Sequence, residues 1–248
     1  MFDAKLNYET RFFADEYEIF GASNVDLQYN NNPSVLKPIG TSRGVTVPSG
    51  PVSQTLSVNR SLLYKDPILD SYLRCSPMHP MAVSVYYEGE HYGFEKGYLN
   101  SHSINCAVGS VPKIATSFLV FDQMEKGKDA SNNLDPREHP LIQIPNQGSI
   151  SIDCDGSSTN RVVGFNHSLS IQRKIRNGIG YGGFSFVEFL QPIEYSASVE
   201  IDVDDAFLQS SFAFLEDREN KTVTLSIKDR HGDIIQTASI PNASLVSE

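Results

Sequence analysis

"QTLSVNRSLL" runs from 54 to 63 and "HSLSIQRKIR" from 167 to 176. Leu56-Ser57-Val58-Asn59-Arg60 lines up with Leu169-Ser170-Ile171-Gln172-Arg173, and the two differences are conservative. In both copies apolar residues alternate with serine, the period-2 pattern of a strand with one buried face. Other segments repeat in the same order. "VDLQYN" (25–30) corresponds to "ISIDCD" (150–155), and "VSVYYE" (83–88) to "VEIDVD" (199–204), which sets Val83 against Val199 and Val85 against Ile201. A shared order of shared segments predicts a degenerate tandem duplication.

Working outward, strand-like segments dominate, among them 23–29, 81–89, 101–108, 114–122, 222–229 and 234–240. Each alternates apolar with polar or small residues, and most are bounded by Gly, Pro, Asn or Asp. Helix candidates are few. "DPILDSYLRC" (66–75) and "FSFVEFLQ" (184–191) each span about two helical turns and follow a copy of the repeated strand, and 203–217 is a third. "QMEKGKDASNNLDPREHP" (123–140) lacks apolar periodicity and reads as a solvated linker or long loop. The expected fold is mainly β: two tandem antiparallel β-sandwich or barrel domains, each with a short flanking helix. Residues 1–122 form the first, 123–140 the linker and 141–248 the second.

A net charge of −10 and a pI near 5.0 exclude a protein built to grip nucleic acid, because binding phosphates draws on a basic excess. Cys75, Cys106 and Cys154 show neither a CxxC spacing nor an even count, so they are expected as free thiols in a reducing compartment. The charged N-terminus does not read as a signal peptide, and no segment approaches the roughly 18 apolar residues that span a bilayer. A soluble intracellular product is the expectation.

Catalytic motifs are weak. Gly178-Ile-Gly180-Tyr-Gly182-Gly183 satisfies G-x-G-x-x-G, but no parallel βαβ unit surrounds it, so a turn or loop is expected. "DCDG" (153–156) lacks the remaining ligands of a calcium loop and reads as a strand end with an Asp-Gly turn. The six histidines have no metal-ligand spacing, and no nucleophile sits in a known context. No enzyme, cofactor or metal is expected. Arg60 and Arg173 stand out, since an arginine at one place in two copies suggests a shared pairing with an acid, and we assign them to an inter-subunit contact.

The L-S-V-x-R strand with a short helix after it, followed by "GYLNSHSINCAVGSVPKIATSFLVFD" (97–122), resembles the tail tube (major tail) proteins of long-tailed bacteriophages. Gly97, Leu99, Ser101, Ser103, Val108, Gly109, Val111 and Pro112 carry most of that resemblance. It implies a virion protein, made in the host cytoplasm, that oligomerises into rings stacked as a hollow tube. Its partners would be copies of itself, other tail proteins, and genomic DNA passing through the lumen without specific binding; no membrane is involved. A duplicated chain would need three copies for six pseudo-equivalent positions, so a trimer with pseudo-sixfold symmetry is expected over a hexamer. Sheet edges would join between neighbours. The alternatives are another tail ring component, such as a distal tail or terminator protein, and a carbohydrate-binding β module that would use Tyr86, Tyr87 and Tyr92.

Overall fold

Branched and aromatic residues alternating with short polar ones lay down strands along most of the described chain. The computed structural model describes residues 11–15, 17–30, 33–37, 39–40, 43–48, 53–75, 78–87, 89–120, 124–130, 145–154, 157–176, 186–202, 221–229 and 231–243. In chain order the elements are β1 (Arg11–Ala14), β2 (Tyr17–Ile19), β3 (Ala22–Asn30), β4 (Pro33–Leu36), β5 (Val45–Pro48), β6 (Ser53–Ser61) and the helix α1 (Pro67–Arg74). Next come β7 (Met81–Tyr87), β8 (Glu90–Ala107), β9 (Lys113–Val120), β10 (Glu125–Lys126), β11 (Pro145–Cys154) and β12 (Ser157–Thr159). Then follow β13 (Val162–Ser170), β14 (Arg173–Arg176), β15 (Phe186–Phe189), β16 (Glu194–Ile201), β17 (Lys221–Asp229) and β18 (Ile234–Ala243). The protein is mainly β, as its alternation predicts.

Ten strands share one antiparallel sheet organised around β8. The first part of β8 pairs with β7 and its later part with β9, and both registers meet at Gly97. Residues 101–107 of β8 also pair with β13, while Tyr92 and Gly93 pair with β10. Strands β7 and β13 therefore lie end to end along one side of β8, with β9 and β10 along the other. From the later part of β8 a six-strand path runs β16-β13-β8-β9-β6-β3. The two ends of the main path, β2 and β3, do not pair, so the sheet does not close into a barrel. Gly21 turns the chain from β2 into β3 at φ +78°, where a Cβ would meet the Ser61 carbonyl oxygen at 2.9 Å. Only glycine fits that approach.

One face of the sheet is covered. Leu56, Val58 and Phe118 pack with Ile68, Leu69 and Tyr72 of α1, and also with Phe12, Met81 and Val83. Farther along, Ile104, Ile114 and Phe165 pack on Ile152, Leu225, Ile227 and Ile235, which belong to a four-stranded sheet ordered β12-β11-β17-β18. Sheet lies on sheet in a sandwich-like arrangement.

Three expectations need revising or placing. Within the helix expected over 184–191, residues 186–189 are instead β15, paired with β14 from Arg173↔Phe189 to Arg176↔Phe186. Its aromatic Phe186 and Phe189 and branched Val187 suit a ladder better than a helical turn. Segment 203–217 lies outside the described residues, so α1 is the one helix among those described. Of the expected linker, Glu125 and Lys126 form β10, and the Ala130 amide donates to Ser84 Oγ at 3.0 Å.

The two copies of the repeat differ in pairing. LSVNR lies wholly within β6, whereas in the second copy β13 ends at Ser170 and β14 begins at Arg173. Between them Ile171 is buried and its amide donates to the Asn100 carbonyl at 2.8 Å. Strand β3 pairs with β6, but its counterpart β11 pairs with β12 and β17. Strands β13 and β16, from beyond the 123–140 segment, sit in the same sheet as the strands before it.

Candidate assembly interface

The six-strand path has two sides of opposite chemistry, and strand alternation divides them. On the covered side the register aligns Val25, Val58, Thr116, His102, Leu169 and Tyr195. On the other side it aligns Asp26, Ser57, Ser117, Ser101, Ser170 and Glu194. A second row there reads Asn24, Asn59, Ala115, Ser103, Ser168 and Ser196, and a third reads Ser61, Lys113, Asn105, Asn166 and Ser198. All of these residues are exposed or half-buried, so no described element covers these three rows. Ser168 and Ser196 share a hydroxyl hydrogen bond at 2.7 Å.

Both ends of the path are open edges among the described residues. At one end β3 pairs with β6 alone, and at the other β16 pairs with β13 alone. They are 9 and 8 residues long, and Tyr29 (56% exposed) and Tyr195 (45%) stand on them. An uncovered edge presents a row of backbone donors and acceptors to another chain. Every pairing along the path is antiparallel and the number of strands is even, so the two edges run in opposite directions. A copy related by rotation would bring its β3 beside this β16 in antiparallel order.

Arg60 and Arg173 are placed apart by chemistry as well as by sequence. Arg60 is 3% exposed, and its Nη2 lies 2.6 Å from Asp66 Oδ2. It finds its acid within its own chain. Asp66 is also the N-cap of α1, where its Oδ1 accepts from the Ile68 amide at 3.0 Å and Pro67 opens the first turn. The same Oδ2 lies 2.6 Å from His102 Nε2. Burial works against the carboxylate, but the Arg60 charge and the His102 hydrogen bond outweigh it and hold Asp66 well below the usual carboxylate range. Removing one partner of such a buried pair costs about 3–5 kcal/mol in general. Arg173 instead donates from Nε to the Leu99 carbonyl at 3.1 Å, and its guanidinium stands 5.2 Å from the centre of the Tyr98 ring. Burial lowers its pKa, with Tyr72 and Tyr98 opposing. Arg60 thus ties a strand to a helix cap, and Arg173 ties the start of β14 to β8.

The buried polar group extends further than the arginines indicated. The His167 ring is 4% exposed, with its centre 6.1 Å from that of His102 and 4.9 Å from that of Tyr195 on the edge strand. Burial drives the His167 pKa down to about 4, with His102 adding and Asp66 partly opposing. His102 and His167 lie far apart in sequence, and alternation alone marks them as inward-facing. No group of three or more His, Cys, Asp or Glu side chains that could hold a metal occurs among the described residues. The Gly178–Gly183 motif falls outside those residues. Of "DCDG", Asp153 and Cys154 end β11, where Cys154 pairs with Ser157, and Asp155 and Gly156 lie outside the described residues. Cys75 is an exposed free thiol and Cys106 a buried one, raised by burial. No described helix is long and apolar enough to cross a membrane.

Compared with known proteins, the chain matches no family model and no curated sequence.

Proposed function

We propose that this protein is a structural subunit that assembles head to tail into rings, and that the rings stack into a hollow tube of the phage tail-tube kind through which DNA passes. One observation carries the reading: a six-strand path within the ten-strand sheet ends, among the described residues, in two long open edges that run antiparallel to each other. Such a pair leaves two sites for β-augmentation, and joining them heterologously either closes a ring or propagates a filament. The acidic balance of the chain adds support, since a tube that conducts a polyanion must not bind it.

The copy number depends on the repeat. Three chains per ring follow if the halves of each chain occupy equivalent positions. Six follow if the whole six-strand path is the repeating unit, and the unlike pairing of β3 and β11 favours six. Negative-stain electron microscopy of concentrated protein, with mass determination of the smallest oligomer, tests the reading. Hollow rings or tubes are the expected result, and a protein that stays monomeric at every concentration would sink it.

A second reading has its own observation. Tyr87 and Tyr92, with Val25, Leu27 and Met124, line a cleft of about 560 Å³ beside β3. Exposed Tyr87 and half-buried Tyr92 over an apolar floor suit the face of a sugar ring. A persistent monomer that binds glycans through this cleft would replace the tube reading with a carbohydrate-binding module.

A further inference from the structure

The uncovered side of the six-strand path is distinctive in what it lacks. Its three rows hold serine, asparagine and alanine at nearly every inner position, with Lys113 as their one cation. The carboxylates in these rows, Asp26 and Glu194, stand on the two edge strands, and Glu200 lies on the same side of β16. Short side chains leave the surface flat. Hydroxyl and amide groups keep it hydrated without fixing counter-charge. A duplex would release few counterions on touching such a surface, so it would gain little affinity there.

The covered side points to the same geometry. It carries α1 and the four-stranded sheet, and a packed sheet adds roughly 10 Å of thickness. If β16 of each copy joins β3 of the next, the sheet becomes continuous and its two sides become the inside and outside of the ring. The bulky layers fit on the outside, where circumference is larger, and the bare side is left facing inward.

We propose that this serine- and asparagine-paved side of the sheet lines the bore, and that double-stranded DNA is the polyanion that moves past it without adhering. The proposal rests on the ring reading above. It adds that the carboxylates of β3 and β16 gather at the seams between subunits, while the centre of each subunit's inner wall is almost uncharged.

The test uses the assembled protein in a background carrying Cys75→Ser and Cys154→Ser. Ser103→Cys places a thiol at the centre of the bare side, and Leu73→Cys places one on α1, where Leu73 is 70% exposed. A small maleimide should label both in assembled rings. A maleimide carried on a folded protein too wide for the bore should label L73C at the same rate in rings and in dissociated subunits. It should label S103C at least an order of magnitude more slowly in rings than in dissociated subunits. Equal labelling of S103C by the bulky reagent in both states would overturn the lining and leave the ring reading standing. So would failure of the small reagent to reach S103C in rings. Absence of any ring would remove the ring reading and the lining together. As an independent readout, Ser57→Lys, Ser103→Lys and Ser168→Lys combined should make rings retain duplex DNA in a salt-dependent way. Wild-type rings should let it go, and retention by wild type equal to that of the lysine variant would overturn the proposal.

Discussion

At the scale of single residues the most consequential group is the buried set of Arg60, Asp66, His102 and His167. Its members come from β6, the cap of α1, β8 and β13, so one polar cluster holds a helix and three strands together. Buried charge is tolerated here because Asp66 meets a cation, a histidine and a helix amide at once. His167 sits at the margin of this set and is neutral in the folded chain until the pH nears 4, whereas its ordinary pKa is 6.5. Between those values the unfolded chain binds the extra proton. Stability is then complete above about pH 6.5 and is lost as the pH falls toward 4. Asp66, held low in the fold, adds a further loss as the pH falls below the ordinary aspartate value of 3.8. We predict that lowering the pH from 7 to 4.5 costs on the order of 2 kcal/mol through His167, read from urea midpoints. His167→Gln should remove most of that slope. A variant that loses stability as steeply as wild type would show that another group is responsible.

At the scale of elements the edge strands decide what the molecule can join. Native proteins blunt an edge with proline, lysine or a bulge when it must stay single. Strand β16 has neither proline nor lysine between Glu194 and Ile201, and it keeps register with β13 from Gly164↔Glu200 to Ser170↔Glu194. Adjacent residues on an edge strand point their amides to opposite sides. Ser198→Pro and Val199→Pro, made separately, should therefore differ in kind. The one whose amide faces outward should block assembly while shifting the thermal midpoint by only a few degrees; the other removes a bond to β13 and should lower stability more clearly. Assembly that survives both substitutions would exclude β16 as a joining edge. The sequence also misled at this scale. The 184–191 segment has a helix-like length, yet its residues 186–189 form β15 because β14 offers them a partner, with Arg176 Nε 2.7 Å from Glu188 Oε2 across the pair. Tertiary pairing outweighs a weak local preference.

At the scale of the whole molecule, β8 joins strands from both sides of the expected boundary in one sheet. It binds β7 and β9 from the first part of the sequence, β10 from the expected linker and β13 from the later part, so neither part completes the main sheet alone. We predict that fluorescence and circular dichroism report a single coincident unfolding transition. Two separated transitions would mean that the halves fold as independent units. Much of this architecture was legible beforehand. Period-2 alternation reveals strands because a pleated backbone sends successive side chains to opposite faces, and Asp66-Pro67 marks a helix start because an aspartate cap and a proline suit the first turn. The chain alone thus determined a mainly β protein, its inward and outward residues, its acidic balance and the start of α1. Only the tertiary structure decided which strands pair, that Arg60 meets Asp66 inside the chain, and that three polar rows on one side of a six-strand path stay bare between edges that are open among the described residues. Those outcomes depend on contacts between residues distant in sequence, and alternation specifies a face without specifying the partner that covers it.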